Sequence, residues 1–301
     1  MTNQNHKMDD QAKTLRDLNE LPPNAFQSTG EEVTSVYSIT SGKGGVGKTA
    51  VVANLAYILA SYGKRVLILD ADLGLANIDV VFGLSPVHNL NHFFSGDFSL
   101  QDIMVDGPHG IKILPAGSGI QNFTRLDAHQ KMRLLDGLDS MQNHFDYVLI
   151  DTEAGIAENV TYFNTAAQEI IVVTTPDPTA ITDAYALMKL LSTQYHEKKF
   201  NLVVHQIHSE DEALDVYRKL TMVANRYLSI SIDFLGSIPE DRQMIEAIRK
   251  QKVISSLYPH SKITAAFEQL ASRISSEPSQ STPKGNLQFF WKKLLNIGPR
   301  Q

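Results

Sequence analysis

Cysteine is absent from the 301-residue chain. That excludes disulfides, thiolate-bound zinc and iron–sulfur clusters together. No run approaches the roughly 18 consecutive apolar residues of a membrane-spanning helix. The N-terminus, MTNQNHKMDD, lacks the apolar centre of a secretory signal. Basic charge is scarce as well: 27 Lys and Arg face 33 Asp and Glu, for a net charge of −6. No global positive field then draws the chain to nucleic acid, and no direct nucleic-acid contact is expected. What remains is the expectation of a cytoplasmic globular protein, 43% hydrophobic, with enough chain for one sizeable core.

Short apolar, β-branched runs recur at 36–40, 65–69, 111–114, 147–150, 169–174, 202–204 and 234–236. Helical patterns lie between them, the clearest at 49–62, 128–141, 181–195 and 211–227. Strands alternating with helices predict an α/β fold, a mostly parallel central sheet with helices on both faces. This domain is expected over 33–275. Residues 1–32 are polar and read as a short helix at 9–18 followed by a linker. Residues 276–284 form a Ser/Pro-rich linker, and 285–301 a final apolar–basic stretch.

The chemistry begins at SGKGGVGKT, residues 41–49, between the first strand and the first long helix. Gly42, Gly47, Lys48 and Thr49 satisfy the P-loop pattern G-x-x-x-x-G-K-[ST]. The glycines let backbone N–H groups turn inward around phosphate oxygens, and the helix N-terminus adds partial positive charge. The expected nucleotide contacts are Gly42, Lys43, Gly44, Gly45, Val46, Gly47, Lys48, Thr49 and Ala50. Lys48 is expected at the outer phosphates and Thr49 on Mg²⁺. Two strand candidates end in carboxylates, Asp70-Ala71-Asp72 and Asp151. A hydrophobic strand ending in Asp is the arrangement that holds the Mg²⁺ of a bound nucleotide.

Lys43 makes the loop more specific, because KGGVGKT resembles the signature of the MinD/ParA class of deviant Walker A ATPases. The resemblance implies ATP with Mg²⁺, and a homodimer in which Lys43 reaches the partner's phosphates. It makes Asp72 the residue that orients the attacking water, and Asp70 a supporting residue of the Mg²⁺ shell beside Thr49 and Asp151. Within the class the chain resembles the FlhG/FleN flagellar regulators at three places. These are Asp10-Gln11-Ala12-Lys13-Thr14-Leu15-Arg16, the first switch Gly74-Leu75-Ala76-Asn77-Ile78-Asp79, and the helix start at 178–187, PTAITDAYAL. In that family the first of these stimulates an FlhF-type GTPase. The resemblance implies flagellar basal-body components and a flagellar transcription activator as further partners.

The chain departs from the pattern at two places. The second switch reads Asp151-Thr152-Glu153-Ala154-Gly155 where the family usually has DTGAG, so a carboxylate precedes the γ-phosphate contact Gly155. The family's adenine-bonding Asn is replaced by His205-Gln206, either of which can bond a base edge. Pro239 and Glu240 resemble the other loop beside the base. In the tail, Leu287, Phe290, Trp291, Leu294 and Leu295 share one helical face, with Lys292 and Lys293 off its centre. Such a helix fits a lipid interface or its own domain's surface; the resemblance implies membrane targeting at the inner face of the cell membrane. The expected function is an ATP-dependent dimerising switch with slow hydrolysis that regulates flagellar number and placement. A MinD-like division-site ATPase, or a nucleotide-sensing adaptor that does not hydrolyse, stands as the alternative.

Overall fold

The first apolar run becomes strand β1 (Ser35–Ser41), and the glycine loop after it opens helix α1 (Lys48–Ser61). The structure is a computed structural model and describes residues 34–72, 77–115, 128–139, 141 and 144–276. The segment DQAKTLR, residues 73–76 of the first switch, the linker at 277–284 and the tail lie outside the described residues.

The chain continues through β2 (Val66–Ala71), α2 (Ile78–Phe82), α3 (Leu90–Ser95), α4 (Leu100–Ile103), β3 (Val105–Asp106), β4 (Lys112–Pro115) and α5 (Ala128–Asp139). Next come β5 (Tyr147–Ala154), α6 (Glu158–Ala166), β6 (Glu169–Thr174), α7 (Pro178–Tyr195), β7 (Lys199–Ile207), α8 (Glu210–Tyr227) and β8 (Ser231–Pro239). The described part ends with α9 (Arg242–Arg249), α10 (Ile254–Leu257) and α11 (Lys262–Ser276).

The eight strands form one sheet in the order β3-β4-β2-β5-β1-β6-β7-β8. Every pairing is parallel except β3 with β4. The expected α/β architecture is therefore the one found. Strands buried on both faces explain the unbroken apolar runs: β2 is buried at all six positions. One face carries α1, with α11 packed on it, and residues such as Ile39, Ile68, Leu149 and Phe267. On the other face α6 packs over Leu69, Val148 and Ile150, and α7 and α8 over Val172, Leu202 and Val204. Helix α1 is buried nearly all round, from Lys48 to Ala60, as a helix pressed between the sheet and another helix must be. Among the described residues, no helix is long and apolar enough to cross a membrane.

Strand order places the site. From β1 the chain first crosses to β2, and later returns through β5 and β6, the two neighbours of β1. The carboxyl end of β1 is therefore the point where the winding changes direction, and there an open α/β sheet has a crevice.

Candidate nucleotide site

The glycine loop is held open by backbone geometry. Gly45 has φ 81° and Gly47 φ 88°, in the left-handed region that side chains avoid. Gly47 is the N-cap of α1; no side chain caps the helix, and no acidic residue stands in its first turn. A helix start without its own anion suits an external one. Gly42 lies so close to α7 that a Cβ there would sit 2.2 Å from the Asp183 carbonyl. Gly44 and Gly45 are exposed, and a Cβ at either would meet nothing within 4 Å. Val46 and Ala50 are buried beneath the loop.

Lys48 is buried and its Nζ lies 2.5 Å from Asp151 Oδ1. The other oxygen of that carboxylate, Oδ2, is buried without a hydrogen-bond partner. Burial pushes the Asp151 carboxyl up, against the pull of Lys48 and of a hydrogen bond from Thr49. Asp70 stands opposite Asp151 in the parallel register of β2 and β5. Burial first, then the Asp151 charge, raises the Asp70 pKa to about 7. Asp70 also braces the switch: its oxygens accept from the backbone N–H groups of Asp72 at 3.3 Å and Ile78 at 3.4 Å. Half-buried Glu153 faces the same group, its pKa raised by burial and then by Asp72, with Lys48 opposing. Crowded carboxylates, an orphaned buried oxygen and the Thr49 hydroxyl are a hard-oxygen donor set that fits Mg²⁺ shared with a phosphate. Among the described residues no three His, Asp or Glu converge as a metal cage; an ion held partly by phosphate does not require one.

The second switch is tied to the loop. Gly155, at φ 102°, donates its N–H to the Ser41 carbonyl at 2.8 Å. Beneath them, Ser38 donates to Asn164 Oδ1 at 2.8 Å, and Asn164 Nδ2 donates to Thr40 at 3.1 Å, joining α6 to β1.

Lys43 has an anionic partner within its own chain, which sequence reasoning did not supply. Its Nζ lies 2.7 Å from Asp177 Oδ2 and 2.5 Å from the Thr179 hydroxyl. Asp177 is also the N-cap of α7, accepting from Thr179 N at 2.8 Å. The Lys43 hydrogen bond, then the Thr179 N–H, hold its pKa down to about 2. Asp–Pro at the start of a helix pattern was the available signal for the cap, but nothing local tied it to Lys43.

Beside Asp177 opens a cavity of about 360 Å³ at the ends of β6, β7 and β8, lined by Thr175, Asp177, Gln206, His208, Glu212 and Glu240 among others. Glu240 lies against His208, 3.4 Å away, and its backbone N–H donates to the Ile207 carbonyl at 2.9 Å. Pro239 ends β8, in register with Ile207. Of the two candidates for the base, only Gln206 lines the cavity. It occupies a bulge in β7 with φ 60°, and its side chain is exposed. His205, read from sequence as a base contact, is instead 3% exposed beneath the loop, with Nδ1 2.7 Å from the Val46 carbonyl oxygen.

Comparisons with known proteins agree with this geometry. A ParA family model, described as NUBPL iron-transfer P-loop NTPase, matches residues 32–275; thiolate ligation of iron is excluded by the absence of cysteine. The chain is 40% identical over 260 residues to the antiactivator FleN of Pseudomonas aeruginosa, covering 86% of this chain and 93% of FleN. It is 33% identical over 294 residues to the flagellum site-determining protein YlxH of Helicobacter pylori, covering 96% and 99%. Among solved structures, MinD of Aquifex aeolicus superposes with a TM-score of 0.66 at 25% identity, over 81% of this chain and 98% of that one. MinD of Pyrococcus horikoshii, complexed with Mg-ADP, superposes at 0.63 and 27% identity, over 80% and 96%.

Proposed function

The chain belongs to the ParA/MinD family of P-loop NTPases, together with FleN and YlxH, and from that membership we propose that it is an ATP-dependent dimerising switch regulating flagellar number and placement. The observation that carries the nucleotide reading is Asp151, buried against Lys48 with its second oxygen orphaned beside Thr49. Bound ATP with Mg²⁺ supplies the phosphoryl group to be cleaved and the cation that offsets its charge.

The chain's own residues then have separate tasks. The loop from Gly42 to Ala50 wraps the phosphates, and Lys48 pairs with them. Thr49 and Asp151 would hold Mg²⁺, with Asp70 as a supporting carboxylate, and the cation would offset phosphate charge. Asp72 orients the attacking water, and Gly155 contacts the terminal phosphate. Gln206, Pro239 and Glu240 flank the base. Lys43 serves the partner's nucleotide, so the site is complete only in the dimer. Residues 1–32 act on an FlhF-type GTPase, and the tail at 285–301 binds lipid at the inner face of the cell membrane when ATP is bound. Basal-body components and a flagellar transcription activator are the remaining partners.

Glu153 favours a second reading, a nucleotide sensor that does not hydrolyse, because its carboxylate shares the site with Asp72. ATP turnover with and without lipid separates the two. The count of flagella in a deletion strain tests the flagellar role; normal flagella with displaced division septa would favour a MinD-like role instead. Lys43→Ala should give a folded protein that stays monomeric with ATP, as read by light scattering. Wild-type dimerisation in that variant would remove the role given to Lys43.

A further inference from the structure

His205 lies at the end of β7, 159 residues from the loop it touches. Its ring is almost wholly buried, and Nδ1 sits 2.7 Å from the Val46 carbonyl oxygen. A carbonyl only accepts, so Nδ1 carries the proton and donates. The loop also rests on the ring: a Cβ on Gly47 would lie 2.3 Å from both Cε1 and Nδ1.

The peptide unit joining Val46 to Gly47 is planar and trans, so its C=O and N–H point in opposite directions. Anchoring the carbonyl inward on His205 aims the Gly47 N–H outward, toward the concave face where a phosphate is expected. Gly47 is the N-cap of α1 and has no side chain to accept from the first-turn N–H groups, so the start of the helix also presents donors to an external anion. We propose that His205 is a positioning residue for the phosphate loop, its buried imidazole clamping the Val46 carbonyl so that the Gly47 N–H stays aimed at the bound phosphate. The role rests on the nucleotide reading above and concerns the phosphates, not the base. Gln206, turned out of the strand by its bulge, lines the cavity alone of the pair.

The distinguishing probe is inorganic tripolyphosphate, which has phosphates and no base. Binding of tripolyphosphate and of ATP is measured by calorimetry on the full chain as wild type, His205→Leu and His205→Asn. Leucine keeps apolar bulk and removes the donor, whereas the Asn amide can place an N–H near the Nδ1 position. The expected result is that His205→Leu weakens both ligands by a similar factor, about ten-fold for one well-placed hydrogen bond, and that His205→Asn restores most of the loss. The nucleotide-induced rise in melting temperature should shrink in the same order; a merely structural role would lower melting with and without ligand alike. Weakening of ATP alone would make His205 a base contact and overturn the proposal, as would unchanged affinity for both ligands. If His205→Leu does not fold, nitrogen-15 spectra of the wild-type imidazole decide. A proton on Nδ1 whose signal moves on tripolyphosphate binding supports the clamp; a proton on Nε2 alone refutes it. Absence of ATP binding by the wild-type chain would instead bring down the nucleotide reading itself.

Discussion

One loop carries two lysines, each paired with an aspartate at short range, and the two pairs differ in burial. Lys48 and Asp151 have side chains only 7% and 0% exposed. Lys43 and Asp177 are 38% and 44% exposed. A buried pair has lost its hydration, so either partner alone is costly. An exposed pair is screened and competes with water, so it is easily exchanged for another anion. The buried lysine is fixed to its own site, while the exposed one is held close at hand and can be given up. Distance does not separate them, since both pairs are short; burial does.

The largest expected effect breaks the buried side of this comparison. Lys48→Ala leaves Asp151 buried with no cation opposite it. Removing one partner of a buried pair typically costs about 3–5 kcal/mol. Urea unfolding of the nucleotide-free protein should show a loss of that size, reduced to the extent that Asp151 takes up a proton. A loss below about 1 kcal/mol would mean that the pair behaves like a surface one.

Next in size is turnover. Asp72→Ala keeps the loop and both lysine pairs, so it should retain ATP and accumulate as a dimer. Its turnover should fall by about 100-fold or more, the scale of a lost general-base or water-positioning group. Glu153→Gly should raise turnover by removing a carboxylate from beside Asp72 and the phosphate site. Phosphate-release assays on both variants check this. Unchanged turnover in Glu153→Gly would place that carboxylate outside the reaction's field.

A smaller effect concerns pH. The Asp70 pKa is raised from the ordinary value to about 7. From about pH 4 to about 7 the folded protein keeps a proton that the unfolded chain has lost. Folding stability from this group is therefore present at low pH and falls as pH rises through the window. Unfolding midpoints without nucleotide or Mg²⁺ should decline from pH 5 to 7.5, and less steeply in Asp70→Asn. Equal slopes for the two proteins would show that Asp70 is not the group that titrates.

These pairs also show what was legible in the sequence. The loop, its lysines and the strand-end aspartates are local patterns, because glycine geometry, a helix start and a strand end are each encoded within a few residues. The sheet was legible because parallel strands buried on both faces require unbroken apolar runs. Strands β7 and β8 extend beyond their apolar runs at 202–204 and 234–236: His205 and Gln206 interrupt the run of β7, and exposed Ser231 and Asp233 that of β8. Short helices such as Leu90–Ser95 and Leu100–Ile103 are below the length at which a 3.6-residue period can be recognised. The contacts of Lys43 with Asp177 and of His205 with Val46 join residues 134 and 159 apart. Only the strand order brings such residues together, and no local signal carries that order.

The smallest effect tests the exposed pair. Asp177 has two tasks, capping α7 through Thr179 N and holding Lys43. Asn caps a helix about as well as Asp, so Asp177→Asn should keep the helix start and the fold while removing the charge that holds the lysine. With its resting partner weakened, Lys43 should be more available to the phosphates of a partner subunit. The variant should then dimerise at lower ATP, with the midpoint shifted by about 2- to 5-fold, in keeping with the small contribution of exposed pairs. Raising the salt concentration should narrow the gap between variant and wild type, since it screens the resting pair in the wild type while the variant has none. Asp177 keeps its charge far below neutral, with a pKa held near 2, so the gap should not change between pH 6 and 8. Sedimentation across an ATP titration measures it. If Asp177→Asn needs more ATP than wild type, Asp177 assists the dimer rather than restraining it, and the exposed pair becomes part of the assembled site instead of a resting place for the lysine.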